Sequence, residues 1–273
     1  MQPPAPFAPY PHPAYRQPPA EEPPPRLRPL QAITFAFRGE ESLVSILIGV
    51  VYLMIPVVGS IAFAGYQTEI FRRLVRRDPR PLPKLTFTPF MAYLGRGIVP
   101  WLAQIFVTLP FGILGGTVFL VVMLSSAVGA THGTGGGAPP SAMMAMMFLP
   151  WLGMMAAWLA LYPVLQIVLT RAALTEDLAR TFDPHALVAY TRKTWWALVA
   201  ALVVYGALAI GLHVLGIAMC FVGVWPVTII VQIAATHLRW QTYELYLARG
   251  GEPVAMKPEP ALPQQQATWA APG

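Results

Sequence analysis

Three stretches of the chain contain no Asp, Glu, Lys or Arg: the 27 residues from Ser42 to Thr68, the 74 from Gly97 to Thr170 and the 45 from Thr194 to Leu238. A helix needs about 20 mostly apolar residues to cross the hydrocarbon core of a bilayer. Every stretch exceeds that length. In hydrocarbon the backbone N–H and C=O groups have to bond within the segment, which favours the α-helix for runs of this kind. Only 11% of the residues are charged, against about 25% in soluble domains, so a water-soluble single domain does not fit. The expected class is all-α, a polytopic transmembrane helix bundle.

Proline and glycine divide these runs. Pro56 and Gly59 interrupt the first, and proline inside a helix removes a hydrogen bond and clashes with the preceding turn. Ser42 to Ala64 is therefore either one kinked span or two short arms with a tip at Ile55 to Gly59. Pro100 and Pro110 bend the second run, in which Gly112 and Gly116 form a small-xxx-small face suited to close helix approach. A Gly- and Pro-rich break follows, from Ser125 to Ser141. The third run, from Met143 to Thr170, ends at Arg171. Asp183 before Pro184 makes a good helix start, leading through Trp195 and Trp196 to about Met219. CFVGVWP, from Cys220 to Pro226, precedes a last apolar arm and a helical exit that Gly250 and Gly251 stop. The count is five to six apolar segments, two of them potential Pro/Gly-broken hairpins. Residues 35–250 form the membrane domain. Residues 1–34, with 12 of the 30 prolines in the first 30 positions, and 251–273 read as disordered tails.

Nearly all of the net charge of +6 lies between Glu69 and Arg96, where seven basic residues face Glu69 and Asp78. A basic loop between apolar runs marks the cytoplasmic side of a membrane protein; it is not read as a nucleic-acid surface. Six segments keep the N-terminus inside with that loop, whereas five place it outside. Within the loop, Ile70, Phe71, Leu74 and Val75 form an apolar stripe, and Arg72, Arg73, Arg76 and Arg77 the opposite face of the same helix. That pattern predicts an interfacial helix whose arginines contact anionic lipid or a protein partner.

Candidate chemistry is sparse. No carboxylate lies in any apolar run, which argues against an ion-coupled pump. His213 is the intramembrane ionisable group, expected to bond a neighbouring helix rather than to titrate, and Gln104, Gln166 and Gln232 are expected to link helices. Met143, Met144, Met146, Met147, Met154 and Met155 lie near His132, but methionine is also an ordinary apolar filler and no second His or Cys completes a soft-metal set. Gly133, Gly135, Gly136 and Gly137 lack the Lys-Ser/Thr ending of a phosphate loop. With Cys220 as the single cysteine, a disulfide framework is excluded. No metal and no cofactor is expected.

The string IGVVYLMIPVVGSIAFAGYQTEIFRRL, with Gly49, Pro56, Gly59, Gly65 and Tyr66, followed by PLPKLTF, resembles the membrane proteins grouped as domain of unknown function 4013. The likeness runs from about Phe35 to Leu247. It implies a multi-pass prokaryotic membrane protein and supplies no catalytic residue or substrate. The expectation from the residues is a non-catalytic scaffold or interaction protein of the inner (plasma) membrane. The alternative is a permease or channel subunit, which would line a water-accessible path with Gln104, Gln166, Gln232 or His213. A membrane enzyme, assembled from distant residues such as Glu176, Asp177 and His185, ranks third.

Overall fold

The computed structural model describes residues 26–39, 41–131, 140–219 and 221–258, with the backbone alone for 126–131, 140–147 and 149–151. Helices account for all of the regular structure among them: α1 Pro29–Phe35, α2 Ser42–Met54, α3 Val58–Val75, α4 Phe90–Thr131, α5 Pro140–Thr175, α6 Leu178–Thr181, α7 Pro184–Ala218 and α8 Val224–Ala248.

Three of these have stretches long and apolar enough to cross a membrane: Phe90–Ser125 in α4, Leu152–Thr175 in α5 and the whole of α7. The expected five to six membrane segments are thus corrected to three such helices among the described residues. Length and polarity explain the difference. The break at Pro56 does produce two arms, with Val57 at φ 60° between them. However, α2 has 13 residues, or about 20 Å at 1.5 Å per residue, well short of the ~30 Å core. Helix α3 begins apolar but carries Glu69, Arg72 and Arg73 in its second half, and α8 carries His237, Arg239 and Glu244. On α2, Ser42, Ser45, Ile46, Gly49 and Tyr52 are buried, while Leu43, Leu47, Val51 and Met54 point outward.

Packing divides the molecule into a folded base and three projecting arms. The base joins α1, α3, α8, the second half of α5 and the first half of α7 around Phe71, Ile167, Leu174, Tyr190, Leu198 and Leu238. A second cluster seats α2 and α3 on Ile229 and Ile233 of α8. The α3–α4 loop folds back here: Leu85 is fully buried, its N–H donates to Ser45 Oγ at 3.1 Å, and Tyr66 Oη donates to the Pro83 carbonyl at 2.9 Å. The arms expose apolar side chains such as Phe106, Leu114, Phe119, Leu159, Ile210 and Leu215.

Glycine permits a close crossing of α3 and α4 at a site different from the one expected. A Cβ at Gly65 would overlap the Tyr93 carbonyl, and one at Gly97 the Ile61 carbonyl, so α3 and α4 touch backbone to backbone. Gly112 and Gly116 face open space, and only Gly115 beside them meets a neighbour, the Met154 side chain. The tail boundaries move as well. Residues 29–34, read with the tail, join Phe35 in α1, where Ala32 and Phe35 are buried. Residues 251–258 lie along the base, where Val254 N–H donates to Tyr243 Oη and Lys257 N–H to the Leu174 carbonyl. The break expected from Ser125 to Ser141 is narrower, since α4 runs on to Thr131 and α5 starts at Pro140; its middle, residues 132–139 with His132 and four glycines, lies outside the described residues, as do residues 1–25 and 259–273 and the side chains of Met143, Met144, Met146 and Met147.

Candidate functional site

The four arginines at and just past the end of α3 do not share one environment. At about 100° per residue, Arg72 lies nearly opposite Ile70 and Leu74, on the side that the end of α5 covers, and it is 2% exposed. Its Nε donates to the Ala173 carbonyl at 3.0 Å and its Nη2 to the Leu174 carbonyl at 3.2 Å. Its Nη1 lies 3.0 Å from Glu176 Oε1, a charge contact outside hydrogen-bond alignment. The last carbonyls of a helix lack partners within it and carry the negative end of the helix dipole, so Arg72 closes the end of α5 from another helix. Lipid contact by Arg72, expected from the arginine pattern, does not fit this burial. Arg73 is half-buried and pairs with Glu69 at 2.6 Å. Arg76 and Arg77 are exposed past the end of α3, Arg77 at 3.2 Å from Glu244 of α8.

The same logic recurs around the base. Arg171 of α5 donates through Nε to the Thr181 carbonyl and through Nη2 to the Arg180 carbonyl, closing α6. Glu69 also pairs with Arg96 of α4, and Glu176 with Lys257 at 3.3 Å. Asp177 and Asp183 cap the starts of α6 and α7 by accepting backbone N–H bonds. The basic surplus read from the sequence is therefore largely spent on helix ends and shared carboxylates.

A second polar cluster links α3 to α8. Gln67 Nε2 donates to Gln232 Oε1 at 2.9 Å, and Arg239 Nη2 donates to Gln67 Oε1 at 3.2 Å and to Thr236 Oγ1 at 2.8 Å. Arg239 is 5% exposed, its Nε has no hydrogen-bond partner, and burial lowers its pKa to about 10. It stays charged at neutral pH. Gln166 is buried with Oε1 also unbonded, whereas Gln104 sits exposed on α4. His213 bonds the Ala209 carbonyl at 2.8 Å within α7 and approaches Thr228 Oγ1 of α8 at 3.4 Å. The candidate polar residues therefore do not converge on one site.

His237, Gln241, Arg171, Glu69 and Arg239 escaped the sequence reading as interior groups. His237 stacks on Phe35 of α1 and its Nδ1 meets Gln241 Nε2 at 3.1 Å. A signal was present in the helical spacing of Gln232, Thr236 and Arg239, and of His237 and Gln241, each set along one line of α8. Among the described residues, no three His, Cys, Asp or Glu side chains group as metal ligands. No hydrogen bond among them joins a nucleophile to a histidine base, apart from the long Thr228–His213 approach, whose hydroxyl is already given to the Val224 carbonyl.

The described chain defines an all-helical protein with three helices fit to cross a membrane and a polar base from which they project. Residues 48–222 match the family described as protein of unknown function (DUF4013), and the chain belongs to that family. No curated protein and no solved structure matches it.

Proposed function

We propose that the protein is a non-catalytic integral membrane scaffold whose base meets an anionic membrane surface or a protein partner. The observation that carries this reading is the use made of the polar groups. Gln232 is bonded to Gln67, Arg239 to Gln67 and Thr236, and His213 to backbone and Thr228, while Gln104 is exposed on α4. A permease needs such groups aligned along a water-accessible path; here Gln232, Arg239 and His213 link helices instead. Arg76 and Arg77, exposed at the edge of the base, supply cations for headgroups, each contributing on the order of 1 kcal/mol near an anionic surface.

The test is solute flux through vesicles containing the full chain. The scaffold reading expects ion and small-solute flux equal to that of protein-free vesicles. Saturable flux that disappears in Gln232→Leu would make the protein a permease instead.

A further inference from the structure

Away from Arg76 and Arg77, a groove of about 400 Å³ lies between the start of α1, the middle of α7 and the end of α8. Its floor is small and apolar, with Ala197, Ala200 and Val204 from α7 and Leu245 from α8, and Arg26 and Arg249 stand in its lining. The size falls in the range of small-molecule sites. Its α7 wall belongs to a helix long and apolar enough to cross a membrane. Trp196, one turn before Ala200, is 80% exposed, and tryptophan favours the headgroup level of a bilayer. Three alanines in five positions of α7 (Ala197, Ala200, Ala201) remove the side-chain bulk that would fill the groove, leaving a smooth channel at the level where lipid chains begin.

Both charged groups are of one sign. Arg26 makes no hydrogen bond or ion pair among the described residues. Arg249 gives Nη1 to the Lys193 carbonyl and keeps further donors, since a guanidinium has five N–H groups and no acceptor. No carboxylate lines the groove. An apolar slot with two arginines fits a ligand that is aliphatic along its length and anionic at one end.

We propose that this groove is a binding site for one anionic phospholipid, with an acyl chain along Ala197, Ala200 and Val204 and the phosphate held by Arg26 and Arg249. This differs from attraction of the whole base to a charged surface, because it fixes one lipid in one place. It rests on the membrane reading of α7.

The test uses the full chain purified into nanodiscs of phosphatidylglycerol and phosphatidylcholine, then released and analysed for retained lipid by native mass spectrometry. The expected result is one phosphatidylglycerol retained in preference to phosphatidylcholine. Arg26→Gln and Arg249→Gln should each weaken retention about fivefold. Ala200→Phe, which fills the slot from an exposed position, should remove retention of both lipids, and Ala197→Phe provides the same readout if that variant folds poorly. Equal retention of the two lipids, or unchanged retention in both Phe variants, would overturn the proposal. Displacement by glycerol phosphate would also overturn it, by assigning a bare phosphate site. A smaller assembly in Ala200→Phe with lipid retention unchanged would assign the groove to a second copy of the chain. Failure of the membrane reading would appear separately, as unmodified protein absent from the membrane fraction.

Discussion

Arg72→Met is the most informative single change. Methionine keeps the length and the apolar stem of the side chain but deletes the guanidinium, which leaves the Ala173 and Leu174 carbonyls without that donor and Glu176 with only the exposed Lys257. Removing one partner of a buried ion pair costs about 3–5 kcal/mol, and the lost hydrogen bonds to a charged donor fall within the same range when counted separately, at about 1.5–3 kcal/mol each. A destabilisation of about 3–5 kcal/mol is expected. Arg76→Gln, at an exposed position, should change stability by about 0.5 kcal/mol or less. Glu176→Gln added to Arg72→Met should recover part of the loss, because it removes the carboxylate left without its main cation. Denaturant titration in mild detergent, followed by tryptophan fluorescence, gives these differences. If Arg72→Met and Arg76→Gln prove equal within 1 kcal/mol, the arginines act as one surface set and the helix-closing role of Arg72 is wrong.

Gly65→Ala and Gly97→Ala should each destabilise by about 1–3 kcal/mol or more, because the new methyl meets backbone, while Gly95→Ala, with open space around it, should stabilise slightly; thermal unfolding in detergent checks all three. Burial, reinforced by Arg38, holds His237 down to about 4 from 6.5. The unfolded chain then binds a proton first as pH falls, so stability should decline between about pH 6.5 and 4, by roughly 3 kcal/mol in total, and His237→Gln should flatten that decline in acid titrations of the midpoint. With Cys220 replaced by Ser, a membrane-impermeant thiol reagent added outside cells should label Ser125→Cys and spare Arg80→Cys; the reverse pattern would invert the orientation.

Long charge-free runs carried the helix class directly, since length and apolarity suffice for it. The break at Pro56, the cap at Asp183 and the stop at Gly250 were legible because each rests on chemistry within a few residues. Span number was not, because apolar arms such as α2 look the same in sequence whether they cross a bilayer or lie against a partner helix. The arginines were misread for a related reason. An amphipathic pattern separates charge from grease but does not report what faces the charge, and the partners of Arg72 lie 101 and 102 residues away. Glu69 likewise borders an apolar run, and only the fold brings Arg96 to it.

The meeting of α1 and α3 with α8 has a consequence for biosynthesis. Gln67 waits for Gln232, 165 residues later, and Arg28 for Gln241, 213 residues later, where its N–H donates to Oε1 at 2.7 Å. At about 5–20 residues per second on the ribosome, the first of these intervals is on the order of ten seconds. Throughout it the early helices hold unmatched amides and charges at the edge of the bilayer. A chain cut short after Met219 would still contain all three membrane-length helices and yet leave Gln67, Arg77 and the floor beneath Phe35 open, which makes α8 the clasp that distinguishes a finished molecule from an inserted but unfinished one.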